Sequence, residues 1–197
     1  MNKLKKTSEK TLFITRAAII AALYVALTLL SALFGLDSKV IQVRFSEALC
    51  VLPVYTVAAV PGVTVGCFIY NLFFGLSWLD TVFGTLATLL GALCTYYISF
   101  FRKHIKFAGI PTVIANSVII PFVIVFSYMG GNLSALPFTV LTVALGEIIS
   151  CCILGSLLLI ALKRYRTILF GKDSYTGKSH KSYCIENTTS AKERNKK

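Results

Sequence analysis

The sequence predicts an all-α membrane protein, a bundle of six transmembrane helices with both termini on the cytoplasmic side. Three observations predict it. The chain of 197 residues is 56% hydrophobic and only 14% charged, against about 25% charged in soluble domains. Its apolar runs Ala17 to Phe34, Thr81 to Phe101 and Ile110 to Met129 match the roughly 20 residues that cross a hydrocarbon core. Its basic residues cluster between those runs, as orientation in a membrane requires. Backbone groups in lipid must be bonded within their own segment, so long uninterrupted runs imply helices; barrel strands would alternate over about ten residues.

The elements follow in order. Residues 1–15 form a basic cytoplasmic arm in which Lys3, Lys5, Lys6 and Lys10 precede the first apolar run. That run exceeds the roughly 7 to 15 residues of a signal-peptide core, so it reads as a retained span. Residues 45–77 are mostly apolar but contain Pro53 and Pro61-Gly62, and could be one kinked helix or two short spans. Proline followed by glycine favours a break, and parity supports it. The N-terminus and the loop carrying Arg102, Lys103 and Lys106 both belong inside, which needs an even number of spans between them. Splitting at Pro61-Gly62 gives four. Spans 110–129 and 136–162 then return the chain to the same side, leaving 18 of the 20 Lys and Arg inside and only Lys39 and Arg44 outside. The six-helix domain is expected over 16–163. The tail, 164–197, is basic and poor in aliphatic residues, and is expected to be disordered.

Several functions are disfavoured. The net charge of +12 sits at span ends and in the tail, where membrane topology and anionic lipid account for it without nucleic acid. Cys50, Cys67, Cys94, Cys151 and Cys152 lie in apolar stretches, and none of the 6 cysteines has CxxC or histidine-paired metal spacing. They read as small packing residues, so neither metal nor cofactor is expected. His104 lies in the basic loop and His180 in the tail, away from any buried carboxylate. The chain has no G-x-x-x-x-G-K-[ST] loop, so active transport would need energy from elsewhere.

Ionisable groups at membrane depth are costly and usually mark a solute pathway. Those here are Arg44 and Glu47 at the start of span two, Asp80 at the start of span four and Glu147 inside span six, with the amides Asn71 and Asn116. Counted at about 1.5 Å per residue, Glu47 and Asp80 lie near the external interface and Glu147 roughly ten residues deep, so that together they could line an outward-opening cavity. Each has a structural alternative. Arg44 and Glu47 could be an interfacial ion pair at a helix start capped by Ser46; Asp80 could cap span four beside the interfacial Trp78; the asparagines could be interhelical glue. Glu147 has no cationic neighbour on its own helix, and Gly146 leaves room beside it. The run Ala17, Ala18, Ala21, Ala22, Ala26 allows close approach of another helix, from within the bundle or from a partner.

The segment IQVRFSEAL at 41–49, followed by VLPVYT, PGVTVGCFIYNLFFG and LDTVFGTLATLL, resembles the QueT family. These are queuosine-precursor transporters, substrate-binding S components of energy-coupling factor (ECF) importers. The resemblance runs from about Arg16 to Lys163 and excludes the tail. It implies an S-component-like six-helix fold in a prokaryotic plasma membrane, and no enzymatic activity. It also implies an alanine motif, best fitted by Ala18 and Ala22, that docks on a coupling subunit, with two ATPase subunits supplying energy as the S component topples in the membrane. The implied site lies near the external face, corresponding to Arg44, Glu47, Asp80, Asn116 and Glu147. The implied solute is a deazaguanine base, queuine or its aminomethyl or cyano precursor. Glu147 or Glu47 would accept from its N1–H and exocyclic amine, Asp80 would meet a cationic substituent, and Trp78, Tyr70 or Phe45 would stack on the ring. Alternatives are an S component for another vitamin-like solute, an intramembrane enzyme using Asp80 and Glu147 as acid and base, and a non-transporting scaffold.

Overall fold

The computed structural model describes residues 2–36, 43–75, 77–102, 108–165 and 168–169. The expectations for Lys39, the 103–107 part of the basic loop with His104, and the tail from 170 with His180 lie outside the described residues.

Every regular element among the described residues is helical. Helix α1 spans Asn2–Leu33, and a 3-10 helix follows at Phe45–Val54. Helix α2 spans Ala59–Phe74; a π-helical turn, Asp80–Gly84, leads into α3, Thr85–Arg102. Helix α4 spans Ile110–Tyr128. Helix α5 (Leu136–Glu147), a π-helical segment (Ile148–Leu154) and α6 (Gly155–Lys163) join end to end in one rod. Four stretches are long and apolar enough to cross a membrane: Glu9–Leu33, Asp80–Ser99, Ile110–Tyr128 and Leu133–Lys163. Two apolar helices, Phe45–Val54 and Ala59–Phe74, are shorter. Leu33, Phe73 and Ile160 stand exposed, an outer surface that suits lipid and not water. The chain is thus an all-α, multi-pass membrane protein.

The interruption in residues 45–77 is real, but it falls at residues 55–58 and not at Pro61-Gly62. Pro61 instead occupies the first turn of α2, where the missing N–H would lack a helical acceptor anyway. Pro53 sits inside the 3-10 helix. Gly62 serves packing: a Cβ there would lie 2.9 Å from the Cβ of Ile20 in α1. One turn on, a Cβ on Gly66 would lie 2.7 Å from the Cβ of Tyr24. The two glycines let the α1 and α2 backbones come closer than any side chain permits, and Ile20, Tyr24, Val63 and Cys67 close the buried core around that seam.

Helix α1 therefore has two distinct sides. Ala21, Tyr24, Thr28 and Ser31 are buried against the bundle, whereas Ala18, Ala22 and Ala26 are exposed on the outer surface. The 3-10 helix is anchored to the inner side, because its first amide, Phe45 N–H, donates to Ser31 Oγ at 2.8 Å. Replacing Gly66 by Val should force α1 and α2 apart and cost about 1–3 kcal/mol of stability. Thermal unfolding of the variant in detergent micelles checks this, and an unchanged midpoint would contradict the packing described.

Candidate functional site

Two glutamates exactly one hundred positions apart in sequence meet in the interior. Glu47 lies in the first turn of the 3-10 helix and is 2% exposed; Glu147 closes α5 and is 6% exposed. Each carboxylate oxygen receives one donor. Glu47 Oε1 accepts from the Tyr24 hydroxyl of α1, and Oε2 accepts from the Cys50 thiol at 3.1 Å. Glu147 Oε1 accepts from Asn116 Nδ2 of α4 at 2.8 Å, and Oε2 lies 3.4 Å from the Cys151 thiol. Ligand atoms of Glu47, Glu147 and Cys151 all fall within 4.8 Å of one another, a spacing a divalent cation could also use.

Local structure brings these groups to one level. The rod starts at Leu133, so Glu147 lies fourteen residues along it, about 21 Å at helical rise. Glu47 lies beside it, with ligand atoms of the two residues within 4.8 Å. A π-helical segment, a feature frequent at functional sites, follows Glu147, and where it passes into α6 the rod packs closely on the 3-10 helix: a Cβ on Gly155 would lie 2.8 Å from Val51 Cγ1. Cys151 Sγ also comes within 3.4 Å of the Glu47 carbonyl oxygen.

Asn116 Oδ1, Ser46 Oγ and Ser150 Oγ are buried without a hydrogen-bond partner; the amide oxygen only accepts, whereas each hydroxyl can donate as well. The guanidinium of Arg44 interacts electrostatically with Glu147 and stands 6.0 Å from the Tyr70 ring centroid, a cation–π distance.

A second polar group lies on other partners. Asn71, 2% exposed, donates to the Asp80 carbonyl at 3.1 Å and accepts from Thr81 Oγ1 at 3.1 Å, fastening α2 to the π turn before α3. The Asp80 carboxylate accepts from the Tyr128 hydroxyl of α4. Trp78 is 72% exposed at the start of this helix. The structure thus brings Glu47, Asn116 and Glu147 into contact, with Arg44 in electrostatic reach. It gives Asn71 and Asp80 different partners and leaves Trp78 on the outside.

Both capping alternatives give way. Ser46 Oγ is buried without a partner, and the position before the 3-10 helix makes no side-chain cap. Asp80 follows the helix start, where Ser77 Oγ accepts from the Leu79 amide at 3.3 Å. The reading of the cysteines as packing residues is also incomplete. Cys50 and Cys151 donate to the two glutamates, and Cys67 accepts from Asn71 at 3.4 Å and Thr88 at 3.3 Å. Sequence reasoning missed Tyr24, Cys50 and Cys151. One signal was present: Tyr24, Thr28 and Ser31 form a polar stripe along one face of an apolar helix. A cavity of about 360 Å³ lined by Leu79, Phe83, Val118, Ile119, Phe122, Val123 and Phe126 is wholly apolar and offers a polar solute no hydrogen bond.

A multi-pass helical bundle with paired glutamates in its interior is a membrane protein that keeps costly polar groups away from lipid. The chain belongs to the QueT transporter family, whose profile matches residues 14–164. A relative from Lactococcus lactis subsp. cremoris (strain MG1363), the "Queuosine precursor transporter QueT", is 40% identical over 81 residues, covering 41% of this chain and 47% of the relative. The match thus spans about half the length of that protein. No solved structure matches. Membership of a transporter family sets aside the intramembrane enzyme, in keeping with Asp80 and Glu147 binding different partners.

Tyr24→Phe removes the hydroxyl that Glu47 accepts from and should lower stability by about 1–2 kcal/mol. The same thermal scan reads it, and a midpoint equal to wild type would mean the bond contributes nothing.

Proposed function

We propose that this chain is the substrate-binding S component of an ECF-type importer for a queuosine precursor, a deazaguanine base. The observation that carries the reading is the meeting of Glu47 and Glu147 in the interior of the bundle, 2% and 6% exposed. A carboxylate accepts two parallel N–H bonds, the arrangement offered by the N1–H and exocyclic amine of a guanine-like edge. Such donors would replace the weak thiol donors of Cys50 and Cys151 with stronger ones. Asn116 Oδ1 is a further acceptor, and Arg44 balances part of the charge. Asp80 and Trp78 would act at the outer end of the bundle, as a rim and entrance, with Asn71 buried behind them and fastening α2 to the π turn. Family membership and the name of the Lactococcus relative support the solute class.

The alternation of basic segments supports six crossings of a plasma membrane with both termini cytoplasmic, the helices Phe45–Val54 and Ala59–Phe74 supplying the two shorter ones. The exposed row Ala18, Ala22 and Ala26 is the surface on which a coupling subunit would dock, with two ATPase subunits behind it.

Calorimetric titration of the purified chain with queuine and its precursors tests the solute. Binding at micromolar Kd or tighter is expected, and Glu147→Gln, which keeps shape and removes charge, should weaken it by about tenfold or more. Absence of binding by the whole panel would overturn the assignment. Replacing Ala18 and Ala22 with Leu should abolish co-purification with the coupling subunit while solute affinity is retained. A complex that still forms would refute the docking face.

A further inference from the structure

We infer that the apolar groove between the π-helical turn at Asp80–Gly84 and α4 is a binding site for one acyl chain of a bilayer phospholipid. It shares no residue with the glutamate cluster and does not depend on the solute assigned to that cluster.

The groove is built from two helical faces. Along α4, Val118, Phe122 and Phe126 recur one turn apart, and all three are exposed. Leu79 and Phe83, also one turn apart, line it from the π turn. Ile119 and Val123 make the floor: Val123 is buried, and Ile119 packs on the core of Ile120, Ile124 and Val143. The space between them is about 360 Å³.

Its length and depth are those of one leaflet. From Val118 to Tyr128, α4 advances ten positions, about 15 Å at helical rise, which is half of the roughly 30 Å hydrocarbon core. One end adjoins polar groups. Ser77 Oγ donates to Ser127 Oγ at 3.3 Å, the Tyr128 hydroxyl donates to the Asp80 carboxylate, and Trp78 is exposed beside them. Such a set marks a helix end at the membrane interface. The other end, at Val118, lies near the middle of the Ile110–Tyr128 span. A lipid lying along α4 would hold its ester groups beside the hydroxyls and its tail between the phenylalanines.

The lining chooses the occupant. It is wholly apolar, so a polar solute or an ion seated there would lose its hydration without recompense. A partner helix docks in a membrane on small residues, as the alanine row of α1 allows, whereas this rim carries Phe83, Phe122 and Phe126. An empty slot would forfeit dispersion contacts along its walls. A flexible run of methylenes fills an irregular slot, and it is what surrounds the span on every side.

Native mass spectrometry tests this on the full chain, reconstituted in dioleoyl-phosphatidylcholine vesicles and re-extracted into detergent. A lipid without net charge is used so that the basic arm does not retain it. One phospholipid per wild-type chain is expected. Val118→Trp places an indole in the groove from a lipid-facing position and should weaken retention about tenfold or more. Val65→Trp, at an exposed position of α2 outside the groove, should leave it unchanged. No phospholipid on the wild-type chain overturns the inference, and so does retention that the two substitutions leave equal. A second copy of the chain held in a Val118-dependent way in place of lipid overturns it too. Val118→Phe, the smaller filler, makes the same comparison if the tryptophan variant does not fold.

Discussion

The rest of the structure depends on the satisfaction of two carboxylates far from water. A charged group at bilayer depth must find its partners within the protein, and Glu47 and Glu147 draw theirs from separate segments. Tyr24 comes from α1, Cys50 from the 3-10 helix, Asn116 from α4 and Cys151 from the π segment. This requirement organises the irregular geometry. The 3-10 helix carries Glu47 inward, and the π segment lets the long rod present Cys151 beside Glu147 while Gly155 accommodates Val51. Helix α4 must turn Asn116 toward the rod. A purely apolar core would pack these helices without fixing which of them meet.

Much of the fold was legible because hydropathy and charge act over whole segments. Runs such as Ile110 to Met129 coincide with a helix almost to the residue, Ile110–Tyr128. The break in residues 45–77 was legible in kind but misplaced, since proline marks a helix start as well as a helix end and Gly62 serves a neighbour that sequence order does not reveal. The 3-10 and π windings were not legible, for they arise from tertiary fit and carry no periodic signature of their own.

The candidate site divides along the same line. Glu47, Asn116 and Glu147 could be singled out because polarity in an apolar run is visible without knowing the fold. Tyr24, Cys50 and Cys151 could not be singled out with the same force, because a tyrosine or cysteine in such a run reads equally well as packing. Asp80 shows the limit of single-residue reasoning: its polarity was plain, but its partner Tyr128 lies 48 positions away.

The glycine seam between α1 and α2 has a mechanical consequence. With backbones in contact at Gly62 and Gly66, the two helices cannot slide or roll without collision, and Tyr24, wedged at that seam, ties them to Glu47. The outward alanine side of α1 and the buried carboxylates are thereby joined through a single helix, whose inner face cannot be repacked without moving Tyr24 off Glu47.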